Sequence, residues 1–432
     1  MTQVSFGLLA AMVLAALLPA GCAVQPAPEP GLAPLVAQVT ADPGDALPAM
    51  RRVCEHIAGH RFVAGNRARL LINGPASFLA LATAIRAARQ RIDMESYEFD
   101  DTAGGAFGDA LLAARQRSVA VHLIYDGWGT LNTRSALFDR LRRGGIATLD
   151  YNPLVPGVRL PFDVNSRDHR KLFIADDRVV ITGGVNISRV YVNPPGIHAS
   201  DPDDEAWRDT DIRIEGPVAA EFERIFAATW QHQSGKRLPP PPAPPPAFTD
   251  GVPVLAIAGT PGAGRPLIYR ALLATIALAQ KSVHLTTGFF APTGDFLHAL
   301  EAAARRGVDV QIIVPGRSTS PVTLAAGRAD YSELLAAGVG IHEFHGRILH
   351  AKTAVIDGAW SAVGSSNLDW RSAVWNNEVD ALVLSPAFGA TMETVFTEDL
   401  ADTTAISLKA WQNRGLAERL GELGAELVAP LL

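Results

Sequence analysis

The chain has 432 residues, 48% of them hydrophobic, which is enough for two or more domains with large cores. Its 38 basic against 44 acidic residues leave a formal charge of -6, which excludes a nucleic-acid protein with a broad basic surface but not a local basic cleft. Cys22 and Cys54 are the only cysteines, so if Cys22 is lipidated Cys54 has no partner and no disulfide framework supports the fold.

Residues 1–28 carry no charged side chain, and residues 6–18 form an apolar run. The run is too short for a comfortable membrane span and fits the core of a secretory signal. Pro19-Ala20-Gly21-Cys22 follows and resembles a bacterial lipoprotein cleavage site with Cys22 lipidated. Pro19 stands where an aliphatic residue is usual, and no Lys or Arg precedes the run, so a plain signal peptide stays open beside it. Either reading predicts a signal over 1–22 and an exported, membrane-associated envelope protein. The Pro- and Ala-rich stretch 24–48 reads as a flexible tether, within an N-terminal extension over 23–59. Cys54, His56 and His60 lie close together, but a fourth ligand with fitting spacing is absent, and a helix carrying unrelated side chains is expected.

The globular part is expected to start near His60. Phe78, Leu81, Ala82 and Ile85 recur at helical spacing, and residues 91–99 then alternate as a strand. This helix-strand unit, 84–99, aligns without gaps with 275–290, and a second unit, 110–127, aligns with 299–316. The stretch from Asp209 to Pro217 likewise matches the stretch from Glu378 to Pro386. The chain is therefore a duplication, with a first half over 60–237, a Pro-rich linker over 238–250 and a second half over 251–402. Alternating helices and strands predict an α/β layered fold with a mostly buried central sheet. The first copy carries an extra loop over 192–206, either a shaper of the cleft mouth or a plain surface insertion. Residues 403–432 place Leu416, Leu420, Leu423 and Leu427 on one helical face, predicting a C-terminal helix that docks on the second half or lies on a membrane.

Each half ends in the same pattern. The first reads His169-Arg170-Lys171, Asp176, then Gly183-Gly184-Val185-Asn186; the second reads His350-Ala351-Lys352, Asp357, then Gly364-Ser365-Ser366-Asn367, with every spacing conserved between them. Residues two apart on a strand share a face, so His169 points with Lys171 and His350 with Lys352. Asp176 and Asp357 sit beside turn residues and are expected to support the strand-turn units without touching substrate. Counting each motif whole, the catalytic set is His169, Lys171, Asp176, His350, Lys352 and Asp357, the two aspartates in their supporting role, with Asn186, Asn367, Glu378 and Asp209 grouped on the substrate side.

These paired stretches resemble the motifs of the phospholipase D superfamily, and their longer forms resemble the bacterial cardiolipin synthase branch. The resemblance runs from about His60 to Leu432 and implies a duplicated phospholipase D-like fold. In it, two α/β/α halves pack about a pseudo-twofold axis with the active site between them. It implies phosphatidyl transfer through a phosphohistidine, usually on the first-half residue. On that basis His169 is the nucleophile and His350 the general acid, with the reverse assignment open.

The residues agree with that chemistry. Lys171 and Lys352 can neutralise the non-bridging oxygens of a phosphodiester, with Asn186 and Asn367 as added donors. No metal or other cofactor is expected. Glu378 and Asp209 can fix the tautomer of a histidine, or form plain salt bridges. Glu95, Ser188 and Ser366 are further candidates for the cleft wall. The expected partners are a phospholipid, phosphatidylglycerol first, and a membrane surface, with no nucleic acid; the oligomeric state is not read from sequence. An envelope phospholipase D hydrolase, a nuclease of the same superfamily and a silent lipid-binding protein are the alternatives.

Overall fold

The computed structural model describes residues 46–153, 165–192, 205–240, 244–260, 264–415 and 421–425. The expected signal, Cys22, most of the tether and of the 192–206 loop, and Leu416, Leu420 and Leu427 lie outside them. The chain begins with α1 (Ala46–Ala58), β1 (Val63–Ile72), α2 (Asn73–Ala87), β2 (Arg91–Ser96), α3 (Ala103–Gln116), β3 (Ala120–Asp126), α4 (Ser135–Arg143) and β4 (Ala147–Tyr151). β5 (Lys171–Ala175), β6 (Val179–Gly183), β7 (Thr210–Glu215) and α5 (Ala219–Ser234) complete the first half. The second half runs β8 (Val252–Gly259), α6 (Leu267–Leu278), β9 (Ser282–Thr286), β10 (Phe290–Ala291), α7 (Gly294–Arg305), β11 (Asp309–Pro315), α8 (Pro321–Ala329), α9 (Tyr331–Ala337) and β12 (Gly340–Phe344). It continues through β13 (Thr353–Ile356), β14 (Trp360–Gly364), β15 (Leu368–Asp369), α10 (Trp370–Val374), β16 (Glu378–Leu384), α11 (Pro386–Leu400), β17 (Thr403–Ala405) and α12 (Leu408–Gln412).

Fifteen strands form one hydrogen-bonded sheet, β17-β12-β11-β9-β13-β14-β16-β8-β1-β7-β6-β5-β2-β3-β4. Outward from the β8–β1 junction, the order β8, β16, β14, β13, β9, β11, β12 repeats the order β1, β7, β6, β5, β2, β3, β4. Helical crossovers make β2, β3 and β4 parallel, while the short turns of β5–β6 and β13–β14 make those pairs antiparallel. The β1–β8 register shifts between Val63 and Asn66, and such an irregularity bends a sheet. β6 thereby lies against β14 and β16.

Three main cores follow from this arrangement. One lies between the first half-sheet and α2, α3 and α4, and includes Ile85, Leu111 and Leu141. A second lies beneath α6, α7 and α9. The third mixes both halves, with Leu172, Ile174 and Ile212 beside Val355, Val363 and Val383, covered by Phe222 of α5 and Met392 of α11. Burial of this shared apolar layer holds the halves face to face.

Two boundaries differ from the sequence expectation. The packed structure starts by Ala46, not near His60, because Ala46, Ala49, Met50, Val53, Cys54 and Ile57 form a stripe that buries against the second half's core. Cys54 is within that stripe, and burial pushes its thiol up to about 12, while His56 faces solvent. The expected C-terminal helix over 403–432 instead begins as strand. Thr403–Ala405 pairs antiparallel with β12, covering the open edge that strand would otherwise present. Farther on, Glu422 and Ala425 turn inward and Leu423 stays 55% exposed, so Leu423 does not dock on the second half.

Candidate active site between the two halves

β5 and β13 are buried strands, and each begins with the lysine of its motif or directly after it. Lys171 Nζ donates to the His169 carbonyl at 2.6 Å, and Lys352 Nζ donates to the His350 carbonyl at 2.5 Å. Each histidine and its lysine are thereby held as one unit. The aspartates lie at the opposite ends of these strands. Asp176 accepts the backbone N–H groups of Arg89, Gln90 and Arg91 at 2.8, 2.7 and 3.0 Å, and Asp357 accepts those of Gln280, Lys281 and Ser282 at 3.0, 2.7 and 3.0 Å. Both sit at positive φ, +51° and +52°, which Asp tolerates better than most side chains. Asp176 and Asp357 therefore clamp the turn to the start of the neighbouring strand and leave the catalytic set. Asp176→Ala should lower the unfolding free energy by about 2–4 kcal/mol, since it strips a carboxylate from three amides, while changing kcat less than a few-fold. Denaturant titration beside a turnover assay checks both.

Between the halves, two isolated bridges repeat one another across the pseudo-twofold axis: Asp168 with Asn377, and Arg208 with Leu349. His169 N donates to the Asn377 carbonyl at 3.0 Å, and His350 N donates to the Arg208 carbonyl at 2.8 Å. The residues that follow Asn377 and Arg208 are Glu378 and Asp209. Each half thus delivers its carboxylate to the other half's histidine. His169 Nδ1 lies 3.0 and 3.1 Å from the Glu378 oxygens, and His350 Nδ1 lies 2.7 Å from Asp209 Oδ2. With Nδ1 so engaged, each ring presents Nε2 elsewhere. Both histidines line one cavity of about 320 Å³, together with Asn186, Asn367, Tyr97, Trp207, Phe289 and Arg371.

Glu378 and Asp209 are fully buried behind the imidazoles and do not line the cavity, so they leave the substrate-side group. Asn186 and Asn367 remain in it. Asn186 Oδ1 accepts the Glu98 N–H at 3.2 Å, and Asn367 Oδ1 is buried with no hydrogen-bond partner among the described residues. Glu95 faces away, toward Arg170 at 3.6 Å; Ser188 bonds Glu98, and Ser366 N donates to Asp380 at 3.3 Å. None of Glu95, Ser188 and Ser366 lines the cavity.

Burial dominates the electrostatics, because it disfavours whichever form is charged. It lowers His169 to about 4 despite Glu378, and takes His350 well below the usual range, with Lys352, Lys171 and His169 adding to the effect. It also lowers Lys171 to about 7 and Lys352 to about 8. The two carboxylates part company. Burial would raise Glu378, but His169, Lys171 and the Ser365 hydroxyl outweigh it and hold the group below its usual range. Ser365 Oγ at 2.5 Å and Ser372 Oγ at 2.8 Å both donate to it. Burial raises Asp209 to about 8, with Asp211 adding and Lys352 opposing.

Several site residues carried no motif. Tyr97 stacks edge-on against His169 at 5.1 Å between centroids, and Trp207 and Phe289 lie 5.3 and 6.1 Å from the His350 ring. Tyr191 Oη is 3.1 Å from His350 Nδ1. Tyr191 and Trp207 flank the inserted loop, so the length difference between the repeats pointed to them. Arg208 spans the halves, donating to Asp399 at 2.7 and 2.6 Å and to the Asp209 carbonyl at 2.5 Å. Glu98 lines the cavity in the field of both lysines, and its pseudo-equivalent is the apolar Phe289.

Residues 81–230 and 272–400, most of both halves, match the family described as cardiolipin synthase, PLD-like domain. The chain belongs to the phospholipase D superfamily, in its cardiolipin synthase branch. It is 33% identical over 392 residues to cardiolipin synthase A of Pectobacterium carotovorum subsp. carotovorum (strain PC1), spanning 89% of this chain and 79% of that one. It is 34% identical over 389 residues to cardiolipin synthase A of Yersinia pseudotuberculosis serotype O:1b (strain IP 31758), spanning 88% and 79%. In fold it is similar to the crystal structure of phosphatidylserine synthase from Haemophilus influenzae Rd KW20, with a TM-score of 0.68 at 14% identity over 89% of this chain and 100% of that one. The duplicated α/β architecture is thus that of the superfamily, and the chain is an enzyme of its cardiolipin synthase-like, phosphatidyl-transferring class. Among the described residues no helix is long and apolar enough to cross a membrane.

Proposed function

We propose that this phospholipase D-superfamily enzyme takes the phosphatidyl group of phosphatidylglycerol onto His169 and passes it to an alcohol, the glycerol end of a second phosphatidylglycerol in particular. The observation that carries the roles is the unequal pair of carboxylates. Glu378 is ionised and held by His169, Ser365 and Ser372, so it fixes the Nδ1–H tautomer of His169 and leaves the Nε2 lone pair to attack phosphorus. Asp209 keeps its proton near neutrality, so the His350–Asp209 pair holds one proton more than the His169–Glu378 pair. The richer pair protonates the leaving oxygen. In the second step His350 takes the proton of the incoming hydroxyl as its oxygen displaces His169. Asn186 and Asn367, which line the cavity, hold the non-bridging oxygens, while Lys171 and Lys352, buried outside its lining with each Nζ on a histidine carbonyl, offset the phosphodiester charge through their field. A cavity of about 320 Å³ is at the small end of ligand sites and suits a headgroup, leaving acyl chains outside. The apolar run at 6–18 and Cys22 support an exported enzyme held at the envelope membrane, where such a lipid resides.

Incubation of the full chain with defined phospholipids, with and without added glycerol, followed by lipid mass analysis, tests this reading. Cardiolipin from phosphatidylglycerol alone, reversed by excess glycerol, is the expected result. Phosphatidic acid as the sole product would make the enzyme a hydrolase. Cleavage of plasmid DNA without lipid turnover would make it a nuclease.

A further inference from the structure

Among the described residues the exposed large apolar side chains are few: Leu79, Trp128, Leu131, Val192, Val322 and Leu423. Leu79 stands alone on α2. Trp128, Leu131 and Val322 belong to segments that build the cavity wall or pack directly behind it. Trp128 and Leu131 lie in the turn after β3. A Cβ on Gly129 in that turn would strike the carbonyl of Tyr97, a cavity residue, and Asp126 at its root accepts the Asp168 N–H at 2.9 Å. Val322 lies in the segment after β11, between Ser320 and Thr323, which both line the cavity. β3 and β11 occupy equivalent places in the two halves, so these segments are the two lips of one mouth. Val192 follows Tyr191, which bonds His350.

Scattered exposed apolar residues are ordinary, but Trp128, Leu131 and Val322, on equivalent segments of the two halves beside one cavity, mark an interaction face. We propose that this rim docks on the surface of a phospholipid bilayer, with Trp128, Leu131 and Val322 entering the interfacial zone so that a headgroup passes into the cavity without leaving the membrane. The proposal rests on the phospholipid reading above and extends it to a surface and an orientation. Trp suits the interface because its ring is apolar and its N–H polar. The chain's charge of -6 offers little general attraction to an anionic leaflet, so apolar insertion carries the contact and salt weakens it little.

The test uses the full chain carrying Trp128→Ser with Leu131→Ser, and Leu79→Ser as control. Turnover is measured on phosphatidylglycerol vesicles and on a short-chain phosphatidylglycerol dissolved as monomers. Quenching of tryptophan emission by bromine-labelled acyl chains is compared between the parent and Trp128→Phe. The double variant should lose about tenfold or more on vesicles and less than twofold on monomers, as expected for removing two inserted apolar side chains. Leu79→Ser should match the parent on both, and Trp128→Phe should lose a share of the quenching. Equal losses on both substrates, or none on vesicles, would overturn the docking face. So would a dimer in light scattering that the same substitutions dissociate, since a second copy would then cover the rim. A parent that turns over neither lipid defeats the transfer reading instead, and the quenching comparison still decides the rim.

Discussion

Replacing His169 by Ala should lower turnover about ten-thousandfold or more, and replacing His350 or both should cost nearly the same, because groups that act as one unit are not additive. A second substrate separates their roles. A phosphatidyl ester with an acidic phenol as leaving group needs no proton from the enzyme. On it, His350→Ala should regain formation of the covalent intermediate and then stall, since the incoming hydroxyl still needs a base. Label on phosphorus should then map to His169. His169→Ala should gain nothing from the better leaving group, because the attacking nitrogen is absent. Label on His350, with rescue of His169→Ala, would reverse the assignment. A His169→Ala enzyme with unchanged lipid turnover would end the two-histidine mechanism. Each half supplies one ring of the shared cavity, so either half alone should be inert.

The second large effect lies behind the rings. Glu378→Gln should lower kcat about a thousandfold or more, since an amide no longer fixes the His169 tautomer. It should also move the pH profile in a direction that a plain structural salt bridge would not. In the parent, His169 is neutral above about 4, Lys171 is charged below about 7, and Lys352 and the Asp209 proton persist to about 8. The profile of kcat/KM should therefore rise on the acid side near 4 and fall on the alkaline side above about 7 to 8. The Glu378 anion favours the charged forms of both His169 and Lys171. Removing it lowers both, so both limbs should shift to lower pH. A profile of kcat/KM on the monomeric substrate that keeps both limbs in place would leave Glu378 as packing alone.

The motif strands were legible because strand geometry has a period of two and because the same spacing occurs twice. His169 with Lys171, and His350 with Lys352, needed only that alternation. The turn role of Asp176 and Asp357 was legible from their place beside turn residues. The duplication was legible too, since 84–99 and 275–290 repeat helix then strand without a gap, and the structure carries them as α2–β2 and α6–β9. Other features were not. Residues 46–58 read as part of an extension because their Pro- and Ala-rich approach hid the stripe of Met50, Val53 and Cys54, whose partner core belongs to the distant second half. Thr403–Ala405 read as helix because three residues are too few to show a period, and only the free edge of β12 makes them a strand.

What the amino-acid order determined by itself was the chemistry on offer: two rings, two ammonium groups, two amides, each set on a buried strand. What only the packing decided was how they are matched. The carboxylate for each ring comes from the opposite repeat, His169 with Glu378 and His350 with Asp209, because bridges at Asn377 and Arg208 join segments that local propensity cannot connect. Local patterns act over a few residues. The 209 positions separating His169 from Glu378 are closed by the apolar layer the halves share, and the Ser365 and Ser372 hydroxyls that packing brings to Glu378 help set it apart from the equally buried Asp209.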